Sequence, residues 1–192
     1  FAKDFPYVCA KSINDSMEVG QEAERQRITF KFKVRRPNFI KRSVKITQWA
    51  TKQTLTGEVA IADIGGKNTA DILGKFEEGG SKYPKGQHVA VPTDKLNVSG
   101  RSIIPRSKRP RALLSKAGKA FVGHLKSGLD VIFQKKGRGK NASLEVAYYL
   151  KSTVKIPAVL GFVETVTKSA LAAFPKKFAE RFARAKATSH LH

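Results

Sequence analysis

The stretch IPAVLGFVETVTKSALAAFPKKFAERFARA, residues 156–185, limits the possible folds more than any other part of the chain. Leu160, Val163, Val166, Ala170, Leu171, Phe174, Phe178 and Phe182 recur at helical spacing and form one apolar stripe. A helix of that length must lay its stripe against a core. Pro157 suits its first turn, and Pro175 inside it predicts a kink, because proline offers no backbone donor and its ring displaces the carbonyl four residues earlier. Near the other end, Phe5, Val8, Cys9, Ile13, Met17 and Gly20 repeat at spacings of three and four until the pattern fails near Arg25, which predicts a second amphipathic helix.

Between these helices the periodicity changes to two. ITFKFKV alternates Ile28, Phe30, Phe32 and Val34 on one side and reads as a strand or an extended arm. RRPNFIKRS bends at Pro37 into a short helical turn anchored by Phe39 and Ile40. VKITQWA and LTGEVAIAD read as two strands with a turn near Lys52 to Thr54. Asn68 caps a short helix through Ile72, Leu73 and Phe76 that ends at Gly79 and Gly80, and HVAVP is a third strand. LDVIFQKK and SLEVAYYL form a hairpin around KGRGKNA. Asn97 to Gly128 lacks regular patterning beyond one short amphipathic helix around Leu113 to Leu125, and reads as a long basic arm. The expectation is a single α+β domain over residues 1–192: a mostly antiparallel sheet packed against long N- and C-terminal amphipathic helices, with an extended basic arm at about 97–128.

Charge narrows the partners. The chain carries 37 Lys and Arg against 15 Asp and Glu, a net charge of +22. Nine basic residues and no acid lie between Arg25 and Lys45, and eight basic residues and no acid between Asn97 and Gly128. Such runs attract polyanions or acidic protein faces. Arg35, Arg36, Lys41, Arg42, Arg101, Arg106, Lys108, Arg109 and Arg111 are the candidate assembly or polyanion contacts. No apolar run approaches the roughly 20 residues that cross a bilayer, so no membrane partner is expected, and no leader pattern precedes the first helix.

The chemistry of a catalyst is not evident. GGKNT at Gly65 lacks the earlier glycine and the following Ser or Thr of a phosphate loop, and GRGK at Gly137 fits a hairpin turn. Glu77 and Glu78 are consecutive on a helix and point about 100° apart, so they cannot oppose one another as acid and base. His88, His124, His190 and His192 have no spaced metal partner, and Cys9 sits on an apolar helix face as a small hydrophobe. No enzymatic activity, cofactor or metal is expected. ITFKFKVRRPNF interleaves Phe30, Phe32 and Phe39 with basic residues as base-stacking surfaces do, but the alternation assigns those rings to the core.

The order of these features resembles the minor tail protein Z and tail completion (neck) proteins of tailed bacteriophages. FPYVCAKSINDSMEVGQEAER is similar to the family's opening helix, with Ala10, Ile13, Asn14 and Asp15 at its small-residue and Asn-Asp positions. FKVRRPNFIKRSVKI is similar to its basic turn, and ILGKFEEGGSKYPKGQHVAVP to its Glu-x-Gly corner, with Glu77, Gly79, Gly80 and Pro92 as the structural corner. IPAVLGFVETVTKSALAAFPKKFAERFARA resembles its closing helix; about sixty residues, Thr93 to Ile156, intervene where shorter relatives have a short link. The resemblance implies a virion protein of the head–tail junction, assembled in the host cytoplasm. It implies a homo-oligomeric ring, commonly a hexamer, that completes or caps the tail end. Its neighbours would be head-completion, connector or portal-side proteins and tail terminator or tail tube proteins, with genomic DNA passing through the lumen without sequence-specific contact. The alternative is a basic nucleic-acid-binding protein that uses the 97–128 arm.

Overall fold

The computed structural model describes residues 4–32, 37–66, 68–84, 86–96, 104–115, 118–137 and 142–189. The fold is α+β, and the chain divides into two compact units, one formed by residues 1–79 with 157–192, the other by residues 80–156.

The first unit is organised by two long helices, α1 (Phe5–Lys31) and α5 (Phe162–Ser189). They run antiparallel: Phe5 meets Phe178 edge to face at 6.0 Å, while Arg27 at the far end of α1 reaches the start of α5. The face that α1 buries has a period of four, Val8, Ser12, Ser16, Gly20, Glu24 and Ile28. Small side chains on that row let the helices approach closely. A Cβ on Gly20 would stand 2.9 Å from the carbonyl oxygen of Val166, so the α5 backbone occupies the space a side chain would need. The buried hydroxyls satisfy themselves within the helix, Ser12 donating to the Val8 carbonyl and Ser16 to that of Ser12, each at 2.7 Å.

The row continues past Arg25, which corrects the expected end of the first helix and the strand or arm reading of ITFKFKV: Ile28 to Lys31 are helical. Ile28 lies four residues beyond Glu24 on the same face and is 1 % exposed, and burying such a side chain contributes roughly 2–3 kcal/mol. The alternation in the sequence was compatible with both periods, and the core on one side chose the helical one. Phe30 consequently points away from the core at 94 % exposure, against its assignment to the interior, whereas Phe32 packs on Phe76 at 5.3 Å.

The remaining elements of this unit follow the expected order. They are α2 (Pro37–Ser43), β1 (Val44–Gln48), β2 (Glu58–Ile61) and α3 (Thr69–Glu78). β1 and β2 pair antiparallel with Val44 opposite Ile61. Ile28, Val44, Leu73 and Leu160 form the core, with Phe32, Ile40, Val59, Ile61, Phe76 and Phe162 packed on it. Asn68 stands at the N-cap of α3 without a capping side-chain bond; Asp63 Oδ1 instead accepts from the Ala70 N–H at 2.9 Å. The closing helix begins at Phe162 rather than Pro157, because the Val159 and Leu160 N–H groups turn back to the Phe76 carbonyl, both at 2.7 Å. Pro175 lies inside α5, which continues beyond it. Val163 and Leu171, expected in the apolar stripe, are exposed, and Phe174, Phe178 and Phe182 are half-buried.

The second unit contains β3 (Gly80–Lys82), β4 (Val89–Pro92), α4 (Pro110–Leu114), β5 (Ala120–His124), β6 (Asp130–Lys136), β7 (Ser143–Lys151) and β8 (Val154–Ile156). β3 pairs antiparallel with β8, and a four-stranded antiparallel sheet has the order β4-β7-β6-β5. Its core is Leu96, Leu113, Ile132, Ala147 and Tyr148, with Ala90, Ile104, Ala120 and Leu150 against it. The described part of the segment expected as an irregular basic arm is built into this unit. Residues 106–108 form a 3-10 turn, α4 follows, and Ala120–His124 is an edge strand, not the end of a helix spanning 113–125. Gly118, at φ +72°, ends any helical continuation between Leu113 and β5.

Candidate interaction surface

The structural corner works through bonds that the sequence did not disclose. Glu77, half-buried near the end of α3, accepts from the Phe162 N–H at 2.7 Å and the Val163 N–H at 3.2 Å. Its carboxylate therefore caps α5 from another element, where negative charge also suits the helix dipole. Arg27 donates to the carbonyls of Leu160 and Gly161 in the same turn. Gly161 has φ +60°, and a Cβ there would stand 2.8 Å from an Arg27 guanidinium nitrogen, so the position admits only glycine without strain. Beneath this clamp lies Glu24, fully buried, 3.4 Å from Arg27, with Oε1 lacking a hydrogen-bond partner. Burial pushes its carboxyl up to about 7 against the pull of Arg27, and the negative charge of Glu77 adds to the rise. Gly79 (φ +78°) and Gly80 (φ +152°) form the exit from α3, and Pro92 ends β4 opposite Tyr148.

The Asn-Asp pair of α1 is also spent on scaffold. Asn14 clasps the backbone of Ala50 from both sides, Nδ2 donating to its carbonyl at 3.0 Å and Oδ1 accepting its N–H at 2.8 Å. Asp15 takes a two-point bond from Arg181 of α5 at 2.7 and 2.8 Å, which holds its carboxyl below the usual value. Cys9 is partly exposed on α1.

Of the candidate basic contacts, Arg35, Arg36 and Arg101 lie outside the described residues. Lys41 and Arg42 occupy the last turn of α2 in the first unit, where Arg42 is exposed and the Lys41 carbonyl accepts from Arg25 Nε at 3.0 Å. Arg106, Lys108, Arg109 and Arg111 lie in the second unit on the 3-10 turn and the start of α4, a segment packed on the sheet core. Ile104 and Leu113 turn inward from this layer, and the Tyr148 hydroxyl fixes its backbone through the Lys108 carbonyl at 2.9 Å. Arg106, Arg109 and Arg111 are left exposed.

Two histidines that have no spaced metal partner in the sequence converge on one carboxylate. His124 Nδ1 contacts Asp130 Oδ1 across the β5–β6 pair, and His88, one residue ahead of β4, stands 3.9 Å from Asp130 Oδ2. Among the described residues no three His, Cys, Asp or Glu side chains, these included, are placed to hold a metal ion, and none of their helices is long and apolar enough to cross a membrane. Two clefts of about 430 Å³ each run along α1 and α5, one lined almost wholly by charged side chains such as Asp15, Glu18, Lys177 and Arg181, the other also by Tyr7 and Val8. No protein-family model, curated protein or solved structure matches the chain.

Proposed function

We propose that the chain is a structural virion protein of the head–tail junction of a tailed bacteriophage, acting by assembly and not by catalysis. In this reading it completes or caps the tail end as a ring of identical subunits around the DNA channel and joins it to head-completion or connector proteins. One observation carries the reading beyond the resemblance. Asn14, Asp15 and Glu77, the polar positions through which the chain resembles that family, are each consumed in pinning one element to another, Asn14 to Ala50, Asp15 to Arg181 and Glu77 to the first turn of α5. Side chains bound in this way stiffen a scaffold and are not free to act on a substrate.

Projection imaging of assembled particles carrying an epitope tag on this subunit tests the proposal. Label at the junction of head and tail, together with a discrete ring by light scattering of the isolated protein or on tail ends, is the expected result. A monomer that never joins a particle overturns it.

A further inference from the structure

The charge is not spread evenly over the molecule. Residues 80–156 hold 17 Lys and Arg against 3 Asp and Glu, while the rest of the chain holds 20 against 12. Two of the three acids in the second unit are already engaged: Asp130 contacts His124, and Glu145 is bound by Lys136 at 2.6 Å, which together with nearby Lys95 keeps its carboxyl low. Seventeen cations on this unit thus face three acids.

The cations also share a location. The layer of residues 104–115 lies over the Ile132–Tyr148 face of the sheet and presents Arg106, Arg109 and Arg111 to solvent. Lys119 and Lys135 do not extend this layer: their backbones pair at one end of β5 and β6, and Lys135 alternates with Ile132 and Gln134, which puts it on the other side of the sheet with Phe133. Asp130 and its histidines lie at the opposite end of those strands, because His124 pairs with Asp130 while Ala120 pairs with Gln134. The result is a set of three exposed arginines on a backbone held rigid by the packed sheet and by the Tyr148 bond. Protein–protein interfaces use arginine too, but they centre it among buried aromatic and apolar anchors, and with Leu114 as its one exposed large apolar side chain this layer suits a polyanion better than a protein partner. Duplex DNA carries a phosphate charge about every 1.7 Å along its axis, and neutralising several of them releases counterions.

We propose that Arg106, Arg109 and Arg111 form a surface that binds the phosphate backbone of duplex DNA without reading its sequence. The inference does not rest on the assembly reading, since it needs only the second unit's charge and geometry and holds equally for a protein outside any virion. Arg106, Arg109 and Arg111 would each meet a phosphate. No exposed aromatic side chain on this layer offers a stacking platform, so binding is through the backbone.

The test is fluorescence anisotropy of the full chain with a labelled duplex of arbitrary sequence about two helical turns long, titrated across roughly 50–200 mM NaCl. The expected result is binding that weakens steeply with salt and is indifferent to base composition. Changing Arg106, Arg109 and Arg111 together to Gln should lower the slope of log K against log salt by about 2–3 and weaken binding roughly a hundredfold near 0.1 M, for three lost phosphate contacts. Changing Lys126, Lys151 and Lys155 to Gln, the same loss of charge on the same unit but away from this face, should cost less than a tenth as much. Equal losses in the two triple variants would overturn the assignment of the face. No DNA binding by the wild-type chain near 0.1 M salt, or displacement of the duplex by polyglutamate at equal charge, would overturn the assignment of the ligand. The wild-type salt slope needs no variant, so a variant that fails to fold does not decide the matter. A junction protein without this DNA affinity would leave the proposed function standing, and a DNA-binding chain that never enters a particle would leave this inference standing.

Discussion

Replacing Glu24 by Gln isolates the energetics of the clamp at the start of α5. The side chain is fully buried, one oxygen has no hydrogen-bond partner, and the carboxyl is raised from 4.5 to about 7. A carboxyl with a higher value folded than unfolded binds more protons in the folded state between those two values. Its favourable contribution is therefore complete below the unfolded value and is lost as pH rises through the folded one. At about 1.4 kcal/mol for each pH unit, a rise from 4.5 to about 7 corresponds to roughly 3 kcal/mol. Gln keeps the shape, never ionises, and leaves Arg27 its two carbonyl acceptors on Leu160 and Gly161. E24Q is expected to match the wild type near pH 4.5 and to be more stable by about 2–3 kcal/mol near pH 8, the gap opening between those values. Asp15 does not confuse the reading: its carboxyl is held below the ordinary value of 3.8, so its contribution is lost only at lower pH. Urea unfolding of both proteins, followed by far-ultraviolet circular dichroism at several pH values, measures the gap. A difference that does not change with pH, or a variant less stable than the wild type near pH 8, refutes the argument.

Three further outcomes follow from neighbouring contacts. Glu77→Ala removes the acceptor for two N–H groups at the α5 N-terminus and should cost about 1–2 kcal/mol in the same unfolding assay. Gly20→Val places branched carbon against the Val166 carbonyl and should destabilise by roughly 1–3 kcal/mol, while Glu22→Gln on the exposed side of the same helix should stay within about 0.5 kcal/mol. Alanine at Arg106, Lys108, Arg109 and Arg111 together should leave the circular dichroism spectrum unchanged and lower incorporation into particles; unchanged incorporation would separate this face from assembly.

Long elements with a single period were legible in the sequence. The apolar recurrence from Val8 to Gly20 and from Val166 to Phe182 announced the two helices, and the alternation in VIF and EVAYY announced the hairpin of β6 and β7. The three-residue strands β3 and β8 are too short to display a period. β5 was hidden because Leu113, Ala120, Phe121, Val122 and Leu125 satisfy a helical spacing nearly as well as a broken strand, and only the sheet edge beside β6 selects between them. The scaffold bonds were invisible for a different reason. Arg27 and Gly161 are 134 positions apart, and an arginine in a basic run carries no mark of the carbonyls it will meet. The signal that could have found Glu24 was its place four residues after Gly20 and four before Ile28, an acid on an otherwise uncharged row. Of the basic contacts, Arg106 to Arg111 were recognised as a group from density alone, but the rigid platform beneath them required Tyr148 and Leu113 to be seen.

β3 and β8 open and close the second unit, and Gly80 stands directly across from Ile156 in their pairing. Cα atoms facing each other in an antiparallel pair are only about 5 Å apart. Seventy-odd residues thus leave and rejoin the chain at almost one point, like a loop of rope drawn through a ring. Cutting such a module out and closing the gap with a link of one or two amino acids would leave the path of its host unchanged.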